Sequence, residues 1–177
     1  MELTATMDDL IENHSEKAYI TAYRLTGNEA DARDLVQETF LRILKKAESF
    51  DPAFDFGGWL YRILFRVYLN RRRSEIRRRE VPLEPVSDDY PETTFEHKAD
   101  PAEMPENIME HNEMKNQISE ALNTLSADMR ACIVLVDVEG RNYEEAAEVL
   151  NWPVGSVAGR LFRARRLLRK QLEGVKI

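Results

Sequence analysis

Arginines at helical spacing are the residues in this sequence best placed to do chemistry. Arg62, Arg66, Asn70, Arg73 and Arg77 step by 4, 4, 3 and 4 positions, which on a helix makes one continuous cationic stripe. Phe54, Phe56, Trp59, Phe65 and Tyr68 lie close by in sequence. That mixture suits single-stranded nucleic acid, because bases stack on rings while guanidinium groups track phosphates. Each stacked base is worth about 1–3 kcal/mol, enough to help keep an unpaired base out of a duplex. A core role competes for Trp59, Phe65 and Tyr68. A second basic run extends from Arg160 to Lys170. Arginine's planar fork pairs with guanine O6 and N7 or with a phosphate, so this run suits duplex DNA.

Residues for covalent or acid–base chemistry are missing from the pattern. The one cysteine, Cys132, excludes an internal disulfide framework and offers no zinc spacing, and the three histidines are scattered. There is no glycine-rich phosphate loop and no carboxylate pair in a plausible pocket. The chain is therefore expected to bind rather than catalyse, with no cofactor, no metal and no small-molecule substrate. No basic start followed by an apolar run marks a secretory signal, and no apolar run spans a bilayer, so a cytoplasmic protein is expected.

Helices must present these side chains, and no strand pattern is visible. The first is expected from Asp8 to Leu25, with Leu10, His14, Ala18, Ala22 and Leu25 on one face and Gly27 ending it. The second starts near Glu29 and is expected to bury Leu35, Val36, Phe40, Ile43, Leu44 and Ala47. Asp51-Pro52 and Gly57-Gly58 bracket a short aromatic loop. The third helix runs from Trp59 to about Arg79 on an apolar stripe of Leu60, Ile63, Leu64 and Val67. Four more follow later in the chain. Asn107 to Leu125 carries His111, Met114, Ile118, Ala121, Leu122 and Leu125; Ser126 caps a helix burying Met129, Cys132, Ile133 and Val136. Gly140 breaks the chain. Asn142 and Glu145 form a capping-box pattern for Tyr143 to Leu150, and Asn151-Trp152-Pro153 turns into a last helix built on Val157, Leu161, Ala164 and Leu168.

Charge divides the chain in the same places. The net charge is −7, yet residues 1–80 hold 14 basic and 14 acidic side chains while residues 81–120 hold 2 and 11. The stretch VPLEPVSDDYPETTFEHKADPAEMPE has five prolines and no helical period, so it is expected to be an extended linker. The expectation is an all-α protein of two small helical domains, 1–80 and 107–177, joined by an acidic proline-containing linker at 81–106.

The last two helices have a helix-turn-helix layout, whose second helix enters the major groove. With Val157, Leu161, Ala164 and Leu168 inward, Ser156, Gly159, Arg160, Phe162, Arg163 and Arg166 are the expected DNA-facing residues. Arg165, Arg166, Arg169 and Lys170, further along, are expected to grip backbone phosphates. A solvated basic face is the plainer alternative.

The run from Leu122 to Arg169 resembles region four of extracytoplasmic-function sigma factors. It keeps Asp137, Gly140, Tyr143, Glu145, Ala147, Pro153, Val154, Gly155, Val157, Arg160, Ala164 and Arg165 of that family's pattern; Ser126 replaces a usual proline, and Ala158 and Gly159 replace a basic residue and a serine. Earlier, Asp31-Ala32-Arg33-Asp34-Leu35-Val36-Gln37-Glu38-Thr39-Phe40 is similar to the signature of sigma region two, as are Phe50-Asp51-Pro52 and Trp59-Leu60-Tyr61-Arg62. The resemblance implies a subunit of RNA polymerase. Its first domain would dock on the β′ coiled coil through Asp34, Leu35, Gln37, Glu38, Phe40 and Leu41. That domain would also bind and melt the −10 element through Phe54, Phe56, Arg62, Arg66, Asn70 and Arg73. Its second domain would bind the −35 element and the β flap. Arg66 stands where many members carry asparagine. An anti-sigma factor is a further implied partner. The rival is a helix-turn-helix regulator that binds operator DNA without being a polymerase subunit; a nucleic-acid enzyme is a third class without supporting residues.

Overall fold

The computed structural model describes residues 6–80 and 108–173. The acidic linker lies outside the described residues, as do the side chains of His111 and Met114. Every regular element among the described residues is helical.

Three helices form the first body: α1 (Met7–Thr26), α2 (Glu29–Lys45) and α3 (Phe56–Glu80). Local chemistry sets their ends. Thr6 and Asp9 exchange hydrogen bonds in a capping box that starts α1. Gly27 closes it at φ 79°, a left-handed conformation that disfavours a side chain, and its N–H donates to the Tyr23 carbonyl. Asn28 accepts from the Asp31 amide to start α2. α3 begins three residues earlier than its glycines suggest. The Asp55 carboxylate accepts from the amides of Gly57 and Gly58, satisfying orphan donors so that the glycines enter the first turn instead of breaking the chain. Ala18, Ala22 and Leu25 meet Ala32, Leu35 and Ile43 and the α3 residues Leu60, Leu64 and Val67 in the core. Leu44, expected inside, is exposed.

The second body holds α4 (Ile108–Asn123), α5 (Ala127–Ile133), α6 (Tyr143–Leu150) and α7 (Val154–Leu172). Ser126 caps α5, and Asn142 with Glu145 forms the capping box of α6. After α5 the chain continues into one π-helical turn, Val134–Val138, which the apolar spacing did not foretell. Asn151 at φ 55° makes the left-handed corner between α6 and α7. Val157, Leu161 and Ala164 are buried as expected, whereas Ile118 of α4 is exposed.

The two bodies are not separate. α3 packs on α5 and α6, and α1 packs on α4 and α5. Consequently α3 buries Tyr61, Phe65, Tyr68 and Leu69 in addition to its expected stripe. Phe65 and Tyr68 are therefore core residues. None of the described helices is long and apolar enough to cross a membrane.

Candidate nucleic-acid and polymerase interfaces

The outer face of α7 is built by the inner one. With Val157, Leu161 and Ala164 locked in the core, residues one and two positions on must point away from it. Gly159, Phe162, Arg163 and Arg166 are exposed and Ser156 is half-buried. Phe162 is 69% exposed, so its ring is free to meet another surface. Arg160 is more constrained than the spacing suggested. Its guanidinium lies 4.4 Å from the centroid of the Trp152 ring and 3.5 Å from Asp128, and it donates to the Ser156 carbonyl. Arg165 is tied down as well: both of its fork nitrogens reach Asp137, at 3.0 and 2.6 Å, and Nη1 reaches Tyr143. These bonds raise the Arg165 pKa, with Asp137 the main cause. Arg165 clamps α7 to the π-helical turn and the start of α6 instead of standing free for a phosphate.

On α3, Arg62, Arg66, Asn70, Arg73 and Arg77 are all exposed and continue along one side. Arg66, Asn70 and Arg73 border a groove whose far wall is Val149, Leu150, Asn151 and Trp152, from the end of α6 and the following turn. Arg62 pairs with Glu148 of α6. Phe54 is 71% exposed, with nothing covering its ring. Phe56, expected beside it, is a correction: it is 4% exposed and packs edge-on against His14, Phe50 and Trp59, so no base can reach it. The shift of the α3 start explains this, since Phe56 becomes the first residue of the helix and turns inward.

Residues 10–78 match the family model for Sigma-70 region 2, and residues 115–168 match Sigma-70 region 4. The chain is 32% identical over 164 residues to the ECF RNA polymerase sigma factor SigW of Bacillus subtilis, covering 93% of this chain and 87% of that protein. It belongs to the extracytoplasmic-function sigma factors. SigE of Mycolicibacterium smegmatis is 38% identical over 167 residues, which is 93% of this chain but only 61% of that longer protein. The sigma factor RpoE of Bartonella quintana, solved in complex with the anti-sigma factor NepR, superposes with a TM-score of 0.67 at 25% identity, covering 96% of this chain and 98% of that one. CnrH, solved with the cytosolic domain of CnrY, shares the fold at a TM-score of 0.60 and 24% identity over 96% of this chain and 88% of that one.

In this sigma factor the face of α2 expected to dock is only partly available. Asp34, Gln37 and Leu41 are exposed, the last 51% so. Leu35 is a second correction: at 1% exposure it is a core residue and cannot meet a partner. Phe40 is half-buried against the core. Glu38 is bridged by Arg42 and Arg71, each at 2.6 Å. Partial burial opposes ionisation of Glu38, but the bonds from Arg71 and Arg42 outweigh it and hold the carboxyl below its ordinary value. The accessible apolar area on α2 comes instead from Leu41 and Leu44.

Three basic residues escaped notice in the sequence. Arg42, Lys45 and Lys46 line one hollow with Trp59, Arg62 and Arg66, so the cationic surface of α3 continues onto the end of α2. Their spacing at 42, 45 and 46 carries a helical signal, but they belong to a different helix from the stripe and only tertiary contact unites them.

Proposed function

We propose that this sigma factor binds core RNA polymerase and directs promoter-specific initiation through two readers. Residues 1–80 form the polymerase-docking and −10-binding domain, residues 81–106 the linker, and residues 107–177 the −35-binding domain. Phe162, Arg163 and Arg166, with Gly159 and Ser156, present the accessible face of a helix-turn-helix to a major groove. Arg62, Arg66, Asn70 and Arg73, with Phe54 nearby, hold an unpaired strand. Asp34, Gln37 and Leu41, now with Leu44, meet the β′ coiled coil, and the second domain contacts the β flap. Capture of strands that open transiently melts the promoter with no covalent chemistry.

The observation that carries this reading is the pairing, in one chain and in family order, of an exposed arginine stripe on α3 with an exposed, arginine-bearing face on the second helix of a helix-turn-helix. The complex of the sigma factor RpoE of Bartonella quintana with the anti-sigma factor NepR supports control of this chain by an anti-sigma factor.

Run-off transcription tests the reading. Core polymerase plus this chain on a promoter library should yield specific transcripts, and Phe162→Ala with Arg163→Ala should lower their yield at least about tenfold, since a single good base contact is worth about 1–3 kcal/mol. Binding to duplex DNA without specific transcription would point to the plain regulator instead.

A further inference from the structure

Arg130 sits at an unusual place for a cation. It stands in α5 at 1% exposure, and its Nη1 donates to the Leu25 carbonyl at 2.7 Å. That carbonyl is a dipole, not a charge. Other arginines that lie against the folded body have carboxylate partners: Arg71 has Glu38, Arg72 has Glu75, Arg160 has Asp128 and Arg165 has Asp137. Arg130 is the most buried of the five, and among the described residues it forms no ion pair. A charge withdrawn from water and left uncompensated is costly, and a buried guanidinium is normally paired.

A second orphan group lies close by. The Tyr68 hydroxyl, on α3, is buried and bonds nothing among the described residues, and neither does Nε of Arg130. Tyr68 as a whole is 2% exposed. Burial raises the Tyr68 pKa, and the charges of Arg130 and Arg72 oppose that rise, so both cations act on this hydroxyl. Guanidinium nitrogens only donate and a phenol donates readily, so these groups together call for an acceptor.

The fold leaves room for one. A hollow of about 30 Å³ lies beside Tyr68, between Thr26, Leu35, Arg71 and Arg72. That volume holds a water or a small ion and is far too small for a nucleotide. Asp31 and Glu75 also line it, but both are engaged: Asp31 accepts from Asn28 at 2.7 Å and Glu75 pairs with Arg72 at 2.9 Å. With Glu38 and Glu75 answering Arg71 and Arg72, the charge left over is that of Arg130. A water would satisfy the donors and leave that charge uncompensated. An anion answers both.

We propose that a small monovalent anion of halide size binds in the hollow beside Tyr68, accepting from the Tyr68 hydroxyl and from Nε of Arg130 and supplying the counter-charge that no side chain provides. Neither Tyr68 nor Arg130 is assigned to DNA or to polymerase, so this site is independent of the reading of the two interfaces. Its consequence is a stability that depends on which anion is present.

The test follows thermal unfolding of the full chain in sodium chloride and in sodium gluconate at equal ionic strength, gluconate being too large for the hollow. Chloride titrated to about ten times its dissociation constant should raise the midpoint by about 3–6 °C over gluconate. Tyr68→Phe keeps the ring and removes one donor; it should cut that difference by half or more. Equal midpoints in the two salts overturn the site, and so does a difference that Tyr68→Phe leaves intact. Crystals of the parent chain soaked in sodium bromide give the direct readout. An anomalous bromine peak within hydrogen-bond distance of the Tyr68 hydroxyl and Arg130 Nε is expected. A water at that position, or bromide confined to exposed arginines as an adventitious ion only, overturns the proposal.

Discussion

Single residues in this protein divide sharply between those held by the core and those held for a partner. Phe56 and Phe54 are two positions apart and of one type, yet the first is sealed by His14, Phe50 and Trp59 while the second is bare. Cys132 belongs with the first kind. Burial pushes its thiol up to about 12, with Arg160 opposing weakly. At pH 8 the folded thiol is protonated and covered, and it should react with a thiol reagent only at the rate of unfolding. The raised value also sets a direction for stability. The unfolded thiol ionises near its ordinary value of about 8.5 while the folded one does not, so its contribution is intact below that pH and declines as pH rises towards about 12. Cys132→Ala should flatten that alkaline decline in denaturant titrations, at a cost of about 1 kcal/mol at neutral pH from lost packing.

At the scale of the element, α7 carries an obvious weakness in its middle. Gly159 lies in the helix interior, and a methyl group added there would meet nothing within 4 Å. Glycine at such a place costs a helix about 1 kcal/mol relative to alanine. Gly159→Ala should therefore raise stability by about 0.5–1 kcal/mol, read as a higher thermal midpoint. Gly27 is the opposite case. It combines φ 79° with a position where a Cβ would press into the Asn123 side chain, so the turn between α1 and α2 needs a residue without one. The capping residues Ser126, Asn142 and Asn151 and the apolar stripe of α7 could all be read in the sequence, because each depends on neighbours within one or two turns. The π-helical turn could not. A five-residue hydrogen bond has no composition of its own, and what favours it here is the burial of Val134 and Leu135 together with the placing of Glu139.

For the molecule as a whole, Arg130 joins the two bodies. It is a guanidinium at 1% exposure whose Nη1 bonds the Leu25 carbonyl near the end of α1, and its Nε has no partner among the described residues. Burial lowers its pKa below the usual arginine value. A hydrogen bond from a charged group is worth about 1.5–3 kcal/mol. Arg130→Met, which keeps the volume and removes the charge, should weaken the union more than either body. Calorimetry should show the single transition of the parent broaden or split, whereas one unaltered transition would mean that the shared core of α3, α5 and α6 alone couples the bodies.

Sequence alone settled the all-helical class, the order of the helices, the helix-turn-helix and the arginine stripe, since periodicity and caps are local properties of the chain. It also carried the family signature. Tertiary structure decided which side chains remain available. Leu35 and Phe56 lie in motifs that resemble a binding face yet are consumed by packing, and Arg160 and Arg165 are engaged by Trp152, Asp128 and Asp137. Whether a side chain is free depends on residues dozens of positions away, which no local pattern encodes. The meeting of the two bodies shows this most plainly: Glu139 and Tyr61 are separated by 78 residues, and only folding brings the acceptor to its donors.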